Sequence, residues 1–117
     1  MIQTAKGVKD INVDEKIQIN RIIKIIIEVF EKYGFNPLQT SILERYENLA
    51  VKYAGGSEIL KETFKLKDQG KRDLGLRYDL TVPLARYIAM NPNLKMPFKR
   101  YELGNVFRDG PIKLARY

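Results

Sequence analysis

From about residue 13 to residue 33, Ile19, Ile22, Ile23, Ile26, Phe30 and Tyr33 return every three or four positions. That spacing predicts one apolar face of an α-helix. Asn12 stands where an N-cap belongs, with Asp14 and Glu15 near the positive end of the helix dipole. Gly34 stands where a left-handed C-terminal cap would stop the helix. So many isoleucines lower intrinsic helix propensity, so packing rather than propensity must hold the element. Ile25 and Ile27 widen the apolar surface, as either a second buried face such as a subunit contact or crowding in an ordinary core would require. Lys24 and Glu28 interrupt the longest apolar stretch, residues 22–30, which is too short and too charged to span a bilayer.

The rest of the chain is punctuated more tightly. Pro37 opposes a helix, so residues 35–43 are predicted to be extended. Residues 45–53 form a short helix stopped by Gly55-Gly56, and residues 55–61 are expected to be a mobile loop. Alternation in residues 63–67 (Phe64 and Leu66 against Lys65 and Lys67) and in residues 74–78 flanks Asp68-Gln69-Gly70-Lys71, which has turn chemistry. A β-hairpin follows from that pattern. Thr81 caps a further predicted helix to about residue 90, with Pro83 in its first turn and Leu84, Tyr87 and Ile88 inward. Asn91-Pro92-Asn93 ends it. Residues 97–103 and 105–108 are predicted strands before an Asp109-Gly110-Pro111 turn. No repeat, low-complexity tract or linker divides the chain. This order implies an α+β fold, an antiparallel sheet with flanking helices.

The 117 residues are the length of one domain, and 44% apolar with 30% charged residues fits a folded globular chain. Neither cysteine nor histidine occurs. That removes disulfides, thiolate or imidazole metal ligands, imidazole general bases and catalytic triads. A reducing cytoplasm suits such a chain. Met1 leads into Lys6, Lys9 and Asp10 without the apolar run of a secretory signal, and no membrane association is expected. The net charge of +7 fits an anionic partner or, equally, a lysine-rich solubilising surface.

Three segments offer chemistry. In Leu76-Arg77-Tyr78-Asp79-Leu80-Thr81-Val82-Pro83, a strand would deliver Asp79 and Thr81 to one face. A carboxylate and a hydroxyl there suit an ammonium group, or they simply cap the next helix. Lys99-Arg100-Tyr101-Glu102-Leu103-Gly104-Asn105-Val106-Phe107-Arg108 puts Arg108 at a strand end. A guanidinium fixed there offers a planar fork of donors to a phosphate, or it pairs at the surface with Asp109 or Glu102. Beyond it, Lys113 and Arg116 flank a turn able to close over a polyphosphate. No Gly-x-x-x-x-Gly-Lys loop or Gly-x-Gly-x-x-Gly turn is present, which argues against the commonest nucleotide folds.

Taken in order, these segments resemble the histidyl-tRNA synthetases, a family of class II aminoacyl-tRNA synthetases. Lys6-Gly7-Val8-Lys9-Asp10 is similar to the family's opening signature. Tyr33-Gly34-Phe35-Asn36-Pro37-Leu38-Gln39-Thr40-Ser41-Ile42-Leu43-Glu44 resembles class II motif 1, placed at about residues 28–44. Residues 76–87 resemble the segment that contacts the amino acid. Val106-Phe107-Arg108-Asp109-Gly110-Pro111 through Arg116-Tyr117 resembles motif 2, placed at about residues 99–117 and incomplete. The resemblance covers essentially all of residues 1–117, as the N-terminal part of a class II catalytic domain.

That resemblance implies ATP, histidine and tRNA(His) as partners of the full-length parent and a two-fold homodimer; no residue is assigned as a metal ligand. Magnesium would arrive on the triphosphate, with no ligands assignable here. Arg108 would meet the α-phosphate as the catalytic arginine, Arg116 the terminal phosphates, and Asp79 and Thr81 the α-amino group of histidine. Ser41 replaces a usual proline, Ala115 a usual glycine, and Gly110 a usual glutamate whose ATP contact Asp109 would take over. About half of an adenylation site is then present, and residues 1–117 alone are expected to be inactive. Two other readings remain: a regulatory or binding paralogue, like the ATP phosphoribosyltransferase regulatory subunit, and a basic RNA-binding α+β domain.

Overall fold

A computed structural model of the chain describes residues 1–53 and 57–110. The described residues divide into two compact units, Met1–Asn36 and Pro37–Gly110.

The first unit is dominated by α1 (Val13–Lys32), and both of its ends are as its sequence predicts. The Asn12 side chain accepts a hydrogen bond from the Glu15 amide at 2.9 Å, satisfying one of the unpaired donors of the first turn. At the other end the Gly34 amide donates to the Glu31 carbonyl and the Phe35 amide to the Phe30 carbonyl. This pair of bonds is a Schellman motif, and it requires the left-handed backbone that Gly34 adopts at φ 85°. The Phe30 and Phe35 rings close the motif with centroids 6.2 Å apart.

The expected inward face of α1 needs correction. No residue of α1 is buried. Ile19, Ile23 and Ile27 are half-buried, whereas Ile22, Ile25 and Tyr33 are 59%, 62% and 65% exposed. Ile27 therefore belongs with the more covered row, and Ile22 and Tyr33 do not. Apolar residues almost encircle this helix, so three- and four-residue spacing proves the helix without choosing its direction.

In the second unit, β1 (Asn36–Pro37) leads into an extended run that reaches β2 (Leu43–Arg45). The helices α2 (Tyr46–Tyr53) and α3 (Ser57–Lys61) follow. Next come the hairpin strands β3 (Lys65–Lys67) and β4 (Asp73–Leu76), then α4 (Thr81–Met90) and β5 (Arg100–Tyr101). Strands β2, β4 and β3 form an antiparallel sheet in that order, with Glu44 opposite Gly75 and Leu66 opposite Leu74. The predicted hairpin is present. Its turn is tied by Asp68, whose carboxylate accepts from the Arg72 amide at 2.9 Å and from Arg72 Nε at 2.7 Å. The amide bond first, and then the Arg72 side chain, hold the Asp68 carboxyl below the ordinary aspartate range.

One face of the sheet carries the core. Leu49 of α2, with no exposed surface, packs with Val82 of α4, and Ile59, Leu60 and Tyr78 close around them. Gly75 makes room for this contact, because a Cβ there would lie 2.6 Å from Leu49 Cδ1. Glu44 enters the same layer and accepts Arg86 Nε with both oxygens at 2.8 Å, tying α4 to the sheet. The other face carries Leu43 and Leu66, 45% and 37% exposed, and the half-buried Leu74 and Leu76.

Three predicted elements differ. Residues 57–61 are helix α3 rather than loop, because Ile59 and Leu60 are drawn onto the core and the Thr63 hydroxyl bonds the Ile59 carbonyl at 2.9 Å. Of residues 97–103, only Arg100–Tyr101 is strand, where the Leu38 amide donates to the Tyr101 carbonyl. Residues 105–108 form no strand. The Asn105 carbonyl is taken by an arginine side chain, which removes it as a ladder acceptor. In α4, Val82 and Pro83 are buried, while Leu84, Tyr87 and Ile88 are only half-buried. Gly55 and Gly56 lie outside the described residues.

Candidate active site

Arg108 lies on the extended run after β5. Its Nε donates to the Tyr78 carbonyl at 3.3 Å, and its guanidinium carbon stands 4.3 Å above the Tyr78 ring centroid. A cation over a ring face at this distance is attracted by the ring quadrupole. The backbone is fixed on both sides of Arg108. The Phe107 amide donates to the Arg77 carbonyl at 3.0 Å, and the Asp109 amide to the Glu62 carbonyl at 2.6 Å. The guanidinium is thereby anchored one peptide from Asp79, the other residue singled out in the sequence.

Asp79 Oδ1 accepts from the amides of both Thr81 and Val82 at 3.1 Å. The carboxylate therefore caps the start of α4, and Thr81, expected to share in capping through its side chain, contributes its amide. A carboxylate bonded to two amides at a helix N-terminus is held in one orientation, favoured by the dipole. The two readings of Asp79 are therefore compatible, since a capped carboxylate is also a preoriented one. We expect Asp79→Ala to cost about 0.5–2 kcal/mol in urea unfolding of the chain. Asp79→Asn, which can still cap, should stay within a few tenths of a kcal/mol. A large loss on Asp79→Asn would show that the charge, not the cap, stabilises the helix start.

Arg77, whose carbonyl holds Phe107, belongs to a charged interior that the sequence did not reveal. Arg77 and Glu102 form an ion pair at 3.4 Å with side chains 4% and 1% exposed. Glu102 Oε2 also accepts from the Thr40 amide and hydroxyl at 2.8 Å. Arg77 Nε donates to the Asn105 carbonyl at 2.6 Å, and its Nη1 to the Thr40 carbonyl at 3.2 Å. Glu102 is thus not the surface partner of Arg108 that the sequence left open. The available signal was Gly75: a strand residue without a side chain marks the face where α2 approaches, and Arg77 shares that face.

Asp109 is exposed. Lys113, Ala115 and Arg116 lie outside the described residues, as does the turn they were expected to form. A shallow depression lined by residues 90–94 at the end of α4 carries no ionisable side chain, so the chemistry is not there. Among the described residues, no group of three or more His, Cys, Asp or Glu gathers to hold a metal ion. None of their helices is long and apolar enough to cross a membrane.

Comparison with known proteins gives this arrangement its relatives. The family model of histidyl-tRNA synthetase matches residues 7–117. Histidine–tRNA ligase 1 of Bacillus thuringiensis is 54% identical over 116 residues, 99% of this chain, and histidine–tRNA ligase 2 of Shouchella clausii is 48% identical over 98% of it. The chain spans about 27% of the length of each of these relatives. The crystal structure of histidyl-tRNA synthetase from Nostoc sp. PCC 7120 superposes with a TM-score of 0.81 at 34% identity, over 92% of this chain and 25% of that one. A Bacillus halodurans structure described as an ATP phosphoribosyltransferase regulatory subunit/histidyl-tRNA synthetase gives 0.80 at 28% identity, over 92% and 28%. The α+β fold is therefore part of the class II aminoacyl-tRNA synthetase catalytic fold. The chain belongs to the histidyl-tRNA synthetase family.

Proposed function

We propose that the chain supplies the first half of an adenylation site, in which histidine is activated by ATP before transfer to tRNA(His). The observation that carries this reading is Arg108, stacked on Tyr78 and bonded to the carbonyl that precedes Asp79, whose own carboxylate is oriented by two amides. In the reaction, a histidine carboxylate oxygen bonds to the α-phosphorus of ATP, and the bond to the pyrophosphate oxygen breaks. Negative charge builds on the non-bridging oxygens, and a preplaced guanidinium stabilises it without reorganisation. Such catalysis needs position and cations rather than a side-chain base, consistent with a chain that has no histidine.

Arg108 meets the α-phosphate, and Asp79 with Thr81 receives the α-ammonium of histidine. Asp109 and, outside the described residues, Arg116 complete the hold on ATP. Magnesium enters with the triphosphate as part of the substrate. Motif 1 corresponds to about residues 28–44 and motif 2 to about residues 99–117. The exposed isoleucines of α1 support a homodimer, because apolar surface of this extent is a common mark of association. The setting is cytoplasmic. Residues 1–117 alone do not complete the reaction, since the remaining groups that would surround histidine and ATP are not among them.

The test is calorimetric titration of the chain with ATP, with histidine and with RNA. ATP binding that weakens about tenfold or more in Arg108→Ala supports this reading, as expected from loss of a charge-assisted contact. ATP affinity unchanged in Arg108→Ala would sink it. The Bacillus halodurans neighbour supports a second reading as a regulatory subunit. That reading predicts dependence on a phosphoribosyltransferase partner instead.

A further inference from the structure

Arg108 does not hold its own position: the residue beneath it, Tyr78, is itself held by a group with no other assigned task. The Tyr78 hydroxyl donates to Glu62 Oε2 at 3.0 Å. The Glu62 backbone carbonyl accepts the Asp109 amide at 2.6 Å, immediately after Arg108. Glu62 therefore reaches Arg108 by two routes, through the ring it lies over and through the peptide that follows it. Gly110 completes the arrangement, because a Cβ there would come within 2.8 Å of Glu62 Oε1. The absent side chain leaves space for the Glu62 carboxylate.

We propose that Glu62 is a positioning residue for Arg108, acting through the Tyr78 hydroxyl to fix the ring on which the guanidinium rests. Arg108 is exposed, and a long side chain in water samples many rotamers, whose entropy is lost when one is selected. A ring locked by a charge-assisted hydrogen bond removes part of that freedom beforehand. The step from Glu62 to phosphate binding rests on the role given to Arg108 above; the step from Glu62 to Arg108 does not.

The experiment has two arms on the full chain. The first reads solvent exchange of the Arg108 Nε–H by nitrogen-15 NMR without any ligand, with the melting midpoint as a check on folding. The second measures ATP affinity. Tyr78→Phe and Glu62→Ala should each speed Nε–H exchange about tenfold and weaken ATP binding about fivefold, from loss of one hydrogen bond. The double variant should be no worse than either single, because both act through the same bond. Glu62→Gln, whose amide oxygen still accepts from the hydroxyl, should recover at least about half of each loss on a logarithmic scale. Should Glu62→Ala fail to fold, Tyr78→Phe and Glu62→Gln decide alone.

Exchange within about twofold of the parent in Tyr78→Phe, multiplied effects in the double variant, absence of rescue by glutamine, or a parent Nε–H exchanging as in a free peptide would each overturn the proposal. If exchange responds as expected while Arg108→Ala leaves ATP affinity unchanged, the positioning role stands and the phosphate reading falls. If Arg108→Ala weakens ATP binding while Glu62 and Tyr78 variants leave both measurements alone, the converse holds.

Discussion

Replacing Glu102 by alanine is expected to lower the unfolding free energy by about 3–5 kcal/mol, the cost of leaving a buried charge without its partner. The Arg77 guanidinium would keep the Asn105 and Thr40 carbonyls but lose the only carboxylate the structure pairs it with among the described residues. Thr40 would lose the acceptor for both its amide and its hydroxyl. With total stabilities of about 5–15 kcal/mol for a domain, this is a large part of what is available. Urea unfolding followed by far-UV circular dichroism measures it. The control is the double variant Arg77→Met with Glu102→Met, which removes both charges and should cost less than Glu102→Ala alone. A loss below about 1 kcal/mol for Glu102→Ala, the range of exposed pairs, would mean that water reaches this pair. Glu102 Oε1 is itself buried without a hydrogen-bond partner among the described residues. The pair is therefore not arranged for greatest stability, and what it does achieve is to join residues 40, 77, 102 and 105.

The second large effect is at Leu49. Truncation to alanine should destabilise the chain by about 2–5 kcal/mol, the usual range for a leucine removed from a packed interior. Leu49 has no exposed surface and sits at the centre of the cluster of Val82, Ile59, Leu60 and Tyr78, so its truncation leaves a cavity among all of them. The Gly75 contact allows a sharper test. Gly75→Ala alone should cost about 1–3 kcal/mol by overpacking, because its methyl meets Leu49 Cδ1. Combined with Leu49→Ala, the same methyl enters the vacated volume, and the double variant should be more stable than the sum of the single losses predicts. Strict additivity in urea unfolding would show that the two sites do not share that space.

The extent to which this structure could be read from sequence depended on how local each signal was. The ends of α1 were legible because Asn12 and Gly34 act through bonds to residues within one turn. The hairpin was legible because Asp68 carries its own turn chemistry. Helix α3 was not, since Ser57–Lys61 looks like a loop until Ile59 and Leu60 meet Leu49 across the fold. The sheet faces also misled. In β4 the apolar residues Leu74 and Leu76 suggest the inward side, yet Gly75 and Arg77 take it. Arg108, Asp79 and Thr81 were singled out through the order of motifs, whereas the residues that hold their surroundings, Glu62, Tyr78, Arg77 and Glu102, were not. Their partners lie 16 to 62 positions away, and single-sequence periodicity carries no information at that distance.

The exposed leucines of the outer strands β2 and β3, Leu43 and Leu66, bear on the fate of a partly folded chain. Exposed apolar side chains on a sheet are the kind of surface that holdase chaperones bind. Anything that binds the unfolded or half-covered form shifts the balance away from the folded one. The steady-state amount of such a chain would then follow quality-control capacity as much as its own folding equilibrium.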